Sequence, residues 1–135
     1  MLGEMINEER GKITGLRVLP TEGGAPVVEV SFQASGKVLG FESTDMGTYR
    51  STLSPNGTMH GAGQGAVLTR SGDMATWTGE GAGKPSGKGL GASWRGAIYF
   101  QTSAPSLARL NGIAVLFEYE VDEQGNTHSK NWEWK

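Results

Sequence analysis

The stretch Asn111-Gly112-Ile113-Ala114-Val115-Leu116-Phe117-Glu118-Tyr119-Glu120-Val121 decides the fold class. Ile113, Val115, Phe117, Tyr119 and Val121 recur at every second position, and Glu118 and Glu120 fill two of the gaps. Successive side chains of a strand point to opposite faces, so this spacing puts the apolar set on one face and the acids on the other.

Outward from this segment the same signal recurs between turn residues. Towards the N-terminus, Leu90 to Thr102 reads as a long strand. Met74 to Ala82 leads into a loop from Gly83 to Gly89, and Thr58 to Thr69 ends at Arg70-Ser71-Gly72-Asp73. Met46 to Leu53 ends at Ser54-Pro55-Asn56-Gly57, a hairpin signal because Asn-Gly tolerates positive φ. Val27 to Gln33 sets Val28, Val30 and Phe32 against Glu29, Ser31 and Gln33, and Val38 to Thr44 follows a predicted turn at Ser35-Gly36-Lys37. Gly3 to Glu8 and Lys12 to Leu19 flank a predicted turn at Glu9-Arg10-Gly11. Towards the C-terminus, Asp122 to Asn126 is a hairpin loop and Thr127 to Trp134 a closing strand, with Trp132 and Trp134 expected on the core. Only Pro105 to Leu110 suits a short helix or 3₁₀ turn, and Asn111 is expected to tie that turn to the rim.

Sequential strands joined by short turns favour a meander, and an open sheet of this length would expose two edges. The expected fold is therefore all-β, a closed antiparallel β-barrel of about eight strands, forming a single domain over residues 1–135.

Composition narrows the function classes. A hydrophobic share of 36% and a charged share of 19% fit one globular core and exclude a disordered chain. The apolar run Ile113 to Phe117 is far too short to span a bilayer, so no membrane role is expected. The absence of cysteine excludes disulfides, thiolate metal sites and thiol nucleophiles. The net charge of −2 is spread without a basic patch, so no nucleic-acid partner is expected. Met1-Leu2-Gly3-Glu4-Met5 lacks the basic start and apolar run of a signal peptide, which predicts a cytoplasmic protein.

Glycine is the outlier, at 22 of 135 residues. It stands at every second position in Gly61-Gly63-Gly65, Gly79-Gly81-Gly83 and Gly87-Gly89-Gly91, which strips one face of each segment of side chains. Each such glycine costs a strand roughly 0.5–1 kcal/mol, so something offsets it. Either the glycines receive bulky neighbours such as Trp77, Trp94 or Phe100 in a sharply coiled sheet, or they leave a lumen open for a ligand. The G-x-G-x-x-A matches at Gly61 to Ala66 and Gly87 to Ala92 lack the following helix that a pyrophosphate needs, so no dinucleotide cofactor is expected.

His60 and His128 lack metal-ligand spacing, so no metal site is predicted, and no serine-nucleophile elbow is present. The catalytic candidates are Glu118, Arg95 and Tyr99, polar residues within strong strands. A carboxylate held in an apolar lumen is a candidate acid or base. The competing assignment is an ion pair on the outer wall. Glu42, Asp45 and Tyr49 form a second polar series. The ligand-binding candidates are Trp77, Trp94, Phe100, Phe117 and Tyr49.

Gly63-Gln64-Gly65, Leu68-Thr69 and Thr76-Trp77-Thr78-Gly79-Glu80-Gly81 together resemble the central strands of the allene oxide cyclase family and its bacterial relatives. The resemblance implies an eight-stranded antiparallel barrel. It also implies an apolar cavity, in which the plant enzyme cyclises an unstable fatty-acid epoxide largely by steering its conformation. No site residue of that family maps onto this chain. The expected function is a barrel that binds an apolar or amphipathic small molecule in its lumen, without a cofactor. The alternatives are a cofactor-independent isomerase or cyclase, and a structural homo-oligomer without ligand.

Overall fold

A computed structural model describes every residue from Met1 to Lys135. Eight strands follow one another: β1 (Leu2–Glu22), β2 (Ala25–Val38), β3 (Phe41–Leu53), β4 (Met59–Thr69), β5 (Met74–Pro85), β6 (Ala92–Gln101), β7 (Val115–Val121) and β8 (Asn126–Trp134). Each pairs antiparallel with the next, and β8 returns to β1, which closes the barrel in strict meander order. Closure leaves no bare sheet edge. A 3₁₀ turn, Pro105–Leu110, is the sole helical piece.

That turn plugs one end. Its Leu107 and Leu110 are fully buried against Ile6, Val38, Val67, Phe100 and Val115. Polar ties hold it in place. Ser106 Oγ donates to Asp73 Oδ2 at 2.6 Å, and Arg109 reaches Glu4 at 2.7 Å and Glu133 at 3.0 Å. Asn111 joins the plug to β6 as expected: its Oδ1 accepts from the Thr102 N–H and its Nδ2 donates to the Thr102 carbonyl, both at 2.9 Å. A second, smaller cluster of Trp94, Tyr119 and Val121 lies further along the barrel.

Two predicted turns are strand instead. Glu9-Arg10-Gly11 lies within β1, which runs unbroken for 21 residues, and Ser35-Gly36-Lys37 lies within β2. The glycines there allow close crossing of neighbouring backbones: a Cβ on Gly11 would come within 2.5 Å of the Ala34 Cα. The chain reverses at Leu39-Gly40, where both residues take positive φ (50° and 84°), the signature of a tight primed hairpin turn. Trp132 and Trp134 are also misplaced by the sequence reading. Asn131 points inward and is 2% exposed, so alternation sends both tryptophans to the outer wall, where Trp134 is 57% exposed.

Candidate functional site

Alternation along β3 to β8 turns Asp45, Tyr49, Trp77, Trp94, Phe117, Tyr119 and Asn131 into the lumen, while Glu9 and Asn7 enter it from β1. The glycine rows on β4 and β5 are seats for the largest of these rings. A Cβ on Gly61 would stand 2.8 Å from the Trp94 ring and one on Gly83 2.7 Å from it. A Cβ on Gly81 or Gly96 would stand 2.8 Å from Phe117, and Gly47 and Gly65 lie under Trp77. The glycine cost is thus offset by burial of indole and phenyl surface, about 25 cal/mol for each Å².

The rings form one connected cluster. Phe32 stands 5.7 Å from Tyr119 and 6.2 Å from Trp77, and Tyr49 stands 5.7 Å from Trp94 and 5.9 Å from Tyr119. The Tyr49–Tyr119 and Tyr49–Trp94 pairs are edge-on, an arrangement aromatic quadrupoles favour.

Two carboxyl groups are buried among them. Glu9 is 3% exposed and Asp45 5%. Asp45 accepts a 2.9 Å hydrogen bond from Trp77 Nε1 and another from the Met46 backbone N–H. Burial pushes the Glu9 carboxyl well above the usual carboxylate range, and the neighbouring Asp45 charge pushes it further. Burial also raises Asp45, against the hydrogen bonds it accepts from Glu9 and Trp77. Two carboxyl groups buried this close together favour holding a proton between them, and Glu9 is the more strongly raised of the two. Beside them, Asn131 Nδ2 donates to Asn7 Oδ1, and Asn7 Nδ2 donates to the Lys37 carbonyl at 2.9 Å. Burial raises Tyr49 to about 12 and raises Tyr119 as well, so both phenols are neutral. The Tyr119 hydroxyl is buried without a hydrogen-bond partner.

A cavity of about 90 Å³ lies between the acid pair and the rings. Its lining includes Tyr49, Trp77, Trp94, Phe100 and Phe117, so all five predicted ligand-binding residues face it. It includes no lysine, arginine or histidine.

The predicted catalytic residues lie elsewhere. With Phe117 and Tyr119 inward, Glu118 must point out, and Tyr99 is 53% exposed for the same reason on β6. Arg95 also points out and pairs with Glu120 across the strands at 2.9 Å. The three do not converge on the lumen. Glu42 is on the outer wall too, paired with Arg70. Each histidine meets a carboxylate outside the barrel, His128 with Glu8 at 2.7 Å and His60 with Glu80 at 3.2 Å. Sequence reasoning reached Asp45 and Tyr49 but missed Glu9, because Gly11 made its segment look like a turn. The pairing of Asn7 and Asn131 joins positions 124 apart in sequence, and no local signal announces it.

These features define a class, a small closed β-barrel with an aromatic, acid-bearing lumen. Solved structures share the fold. A conserved protein of unknown function from Rhodopseudomonas palustris superposes with a TM-score of 0.81 at 12% identity, over 99% of both chains. A protein of unknown function from Clostridium acetobutylicum gives 0.82 at 10% identity over 98% of both. An enzyme from Penicillium herquei gives 0.65 at 15% identity over 97% of both. At such identities the likeness is one of fold alone. No protein-family description matches this chain, and no curated protein matches it in sequence. No helix is long and apolar enough to cross a membrane.

Proposed function

We propose that this barrel binds a small amphipathic molecule in its lumen, with the apolar part against the rings and the polar part at Glu9, Asp45 and Tyr119. The supporting observation is the cavity itself, a space of about 90 Å³ with aromatic walls and a polar cluster on one side. A long acyl chain exceeds that space, since one water's share of liquid is already about 30 Å³. The size favours a compact molecule, or the head of a longer one whose tail leaves the barrel. Two of the four tryptophans, Trp77 and Trp94, face the cavity and report on its occupancy. Titrating a panel of compact alcohols, phenols, amines and ketones while reading tryptophan fluorescence, with native mass spectrometry alongside, tests the reading. Quenching with a one-to-one mass adduct supports it. No adduct from any class, together with a lumen that xenon does not enter, refutes it.

One observation favours a second reading, isomerisation without a cofactor: an acid and a conjugate base stand side by side in Glu9 and Asp45. The allene oxide cyclase resemblance points the same way, but the acid–base residues would be these two and not Glu118. Cyclohex-3-enone in deuterated buffer is a suitable probe. Conversion to the conjugated enone above the buffer rate, lost in Asp45→Asn, supports it, and a rate equal to buffer alone rejects it.

A further inference from the structure

Building on the lumen-binding reading, we infer that the molecule held there is a small organic cation, of the size of a methylated ammonium group. The charges that face the cavity have one sign. Glu9 and Asp45 are buried in it, whereas Glu80, which also borders it, sends its side chain outward to His60 and is 68% exposed. No base stands inside to answer the Asp45 carboxylate. A buried anion without a counter-charge is costly, and proteins normally pair it. Here only the Trp77 N–H, the Met46 N–H and the shared Glu9 proton stabilise it. A cation entering the cavity supplies the missing charge.

The walls suit the same guest. Tyr49, Trp77, Trp94, Phe32 and Tyr119 are linked by centroid separations of 5.7–6.3 Å around the space. Rings so grouped attract a cation through their quadrupoles, and quaternary ammonium groups are held by such cages elsewhere. An anionic guest meets the opposite situation, because the Asp45 charge repels it and no donor cation compensates. The Tyr119 hydroxyl lies beside that of Tyr49 on the cavity wall, where a polar substituent of the guest can meet it.

Entry of a cation changes one proton. The titratable groups that share the lumen with Glu9 are Asp45 and Tyr49 from β3 and Tyr119 from β7; β5 adds Glu80 at the border, turned outward to His60, and β2 and β8 present only uncharged residues, among them Ala34 and Asn131. A positive charge beside the pair weakens its hold on protons, so cation binding is linked to proton release and strengthens as pH rises. No bond within the guest forms or breaks.

Three molecules of one shape and three charges decide the matter: choline, 3,3-dimethylbutan-1-ol and 3,3-dimethylbutanoate, each titrated calorimetrically into the intact protein at neutral pH in two buffers of different ionisation enthalpy. Choline is expected to bind at least about tenfold more tightly than the alcohol, the carboxylate weakest, and choline binding to release protons. Glu9→Gln/Asp45→Asn is expected to lose the preference for choline over the alcohol, read as the ratio of the two affinities in the variant against that ratio in wild type. If that variant does not fold, wild-type protein gives the same answer, because the preference should grow from pH 4 to pH 8. Equal or tighter binding of the alcohol overturns the cation assignment and leaves the lumen-binding reading standing. Failure of all three to bind overturns the cation assignment too, and then only the broader panel described above bears on the general reading.

Discussion

The indole nitrogen of Trp77 on β5 donates a 2.9 Å hydrogen bond to Oδ1 of Asp45 on β3, across β4. The bond spans a strand because β4 offers Gly65 at that level, and the indole lies over it. One glycine thus places a donor on a buried carboxylate. Trp77→Phe keeps most of the ring and removes the donor. A hydrogen bond to a charged group is worth about 1.5–3 kcal/mol, so the variant should lose about 2 kcal/mol in urea unfolding. A loss below 0.5 kcal/mol would mean that the bond contributes little.

The seat model makes opposite predictions for two glycines. A Cβ on Gly61 meets the Trp94 ring at 2.8 Å, so Gly61→Ala forces an already buried indole to move. Overpacking of this kind costs about 1–3 kcal/mol, and near-ultraviolet circular dichroism should change with it. At Gly15 a Cβ meets nothing within 4 Å and φ is not positive. Gly15→Ala should therefore be neutral or stabilise by roughly 0.5–1 kcal/mol through the unfolded chain. Equal effects at the two sites would disprove the seat argument.

Much of this architecture was legible. Period-two spacing in β7 and the hairpin at Asn56-Gly57, where Gly57 takes φ 86°, rest on local rules that the fold obeys. The 3₁₀ turn at Pro105–Leu110 and its tie through Asn111 were legible, whereas its burial as a plug depends on the residues of five strands that Leu107 and Leu110 meet. The same alternation rule that exposes Glu118 by burying Phe117 and Tyr119 also argued for an outer ion pair of Arg95, which pairs with Glu120. Less legible was anything that depends on which backbones cross closely. Gly11 and Gly36 look like turn residues in isolation, and only the crossing of β1 with β2 reveals them as points of backbone contact. Glu9, two residues before Gly11, was hidden by the same misreading, and with it half of the acid pair.

Glu118 provides a control for the corrected site. Its side chain is on the outer wall, opposite Arg95 and Lys130 in register. Glu118→Gln should change stability by less than about 0.5 kcal/mol, as exposed substitutions usually do, and should leave any ligand affinity of the lumen unchanged. Loss of binding in this variant would return the site to the outer wall.

Asn111 makes two hydrogen bonds to the backbone of Thr102, and no other side chain takes its place at the junction of β6 with the plug. Asn111→Ala leaves the Thr102 N–H and carbonyl to water. At about 1 kcal/mol for each net bond, the loss should approach 2 kcal/mol. Hydrogen exchange should quicken first over Pro105–Leu110, ahead of the barrel strands, because the plug is the smaller cooperative unit. Uniform acceleration over the whole barrel would show that plug and sheet open together.

The acid pair also sets a pH dependence with a defined sign. The Glu9 carboxyl is raised well above its unfolded value by burial and by Asp45, and Asp45 itself is raised. Such groups hold protons in the folded state that the unfolded chain releases above about pH 4.3. Their contribution is therefore complete below that pH and is lost as pH rises through the elevated folded values, at about 1.4 kcal/mol for each unit of elevation. Glu8 and Asp122, both lowered, act in the opposite sense at acid pH: what they add is lost as pH falls through their folded values. The pair is isolated by comparing wild type with Glu9→Gln, which mimics the protonated acid at every pH. In urea unfolding from pH 4 to pH 9, the variant should start level with or slightly below wild type and overtake it as pH rises. A difference between the two that stays constant across this range would show that Glu9 titrates as an ordinary surface carboxylate, and the shared proton with Asp45 would have to be abandoned.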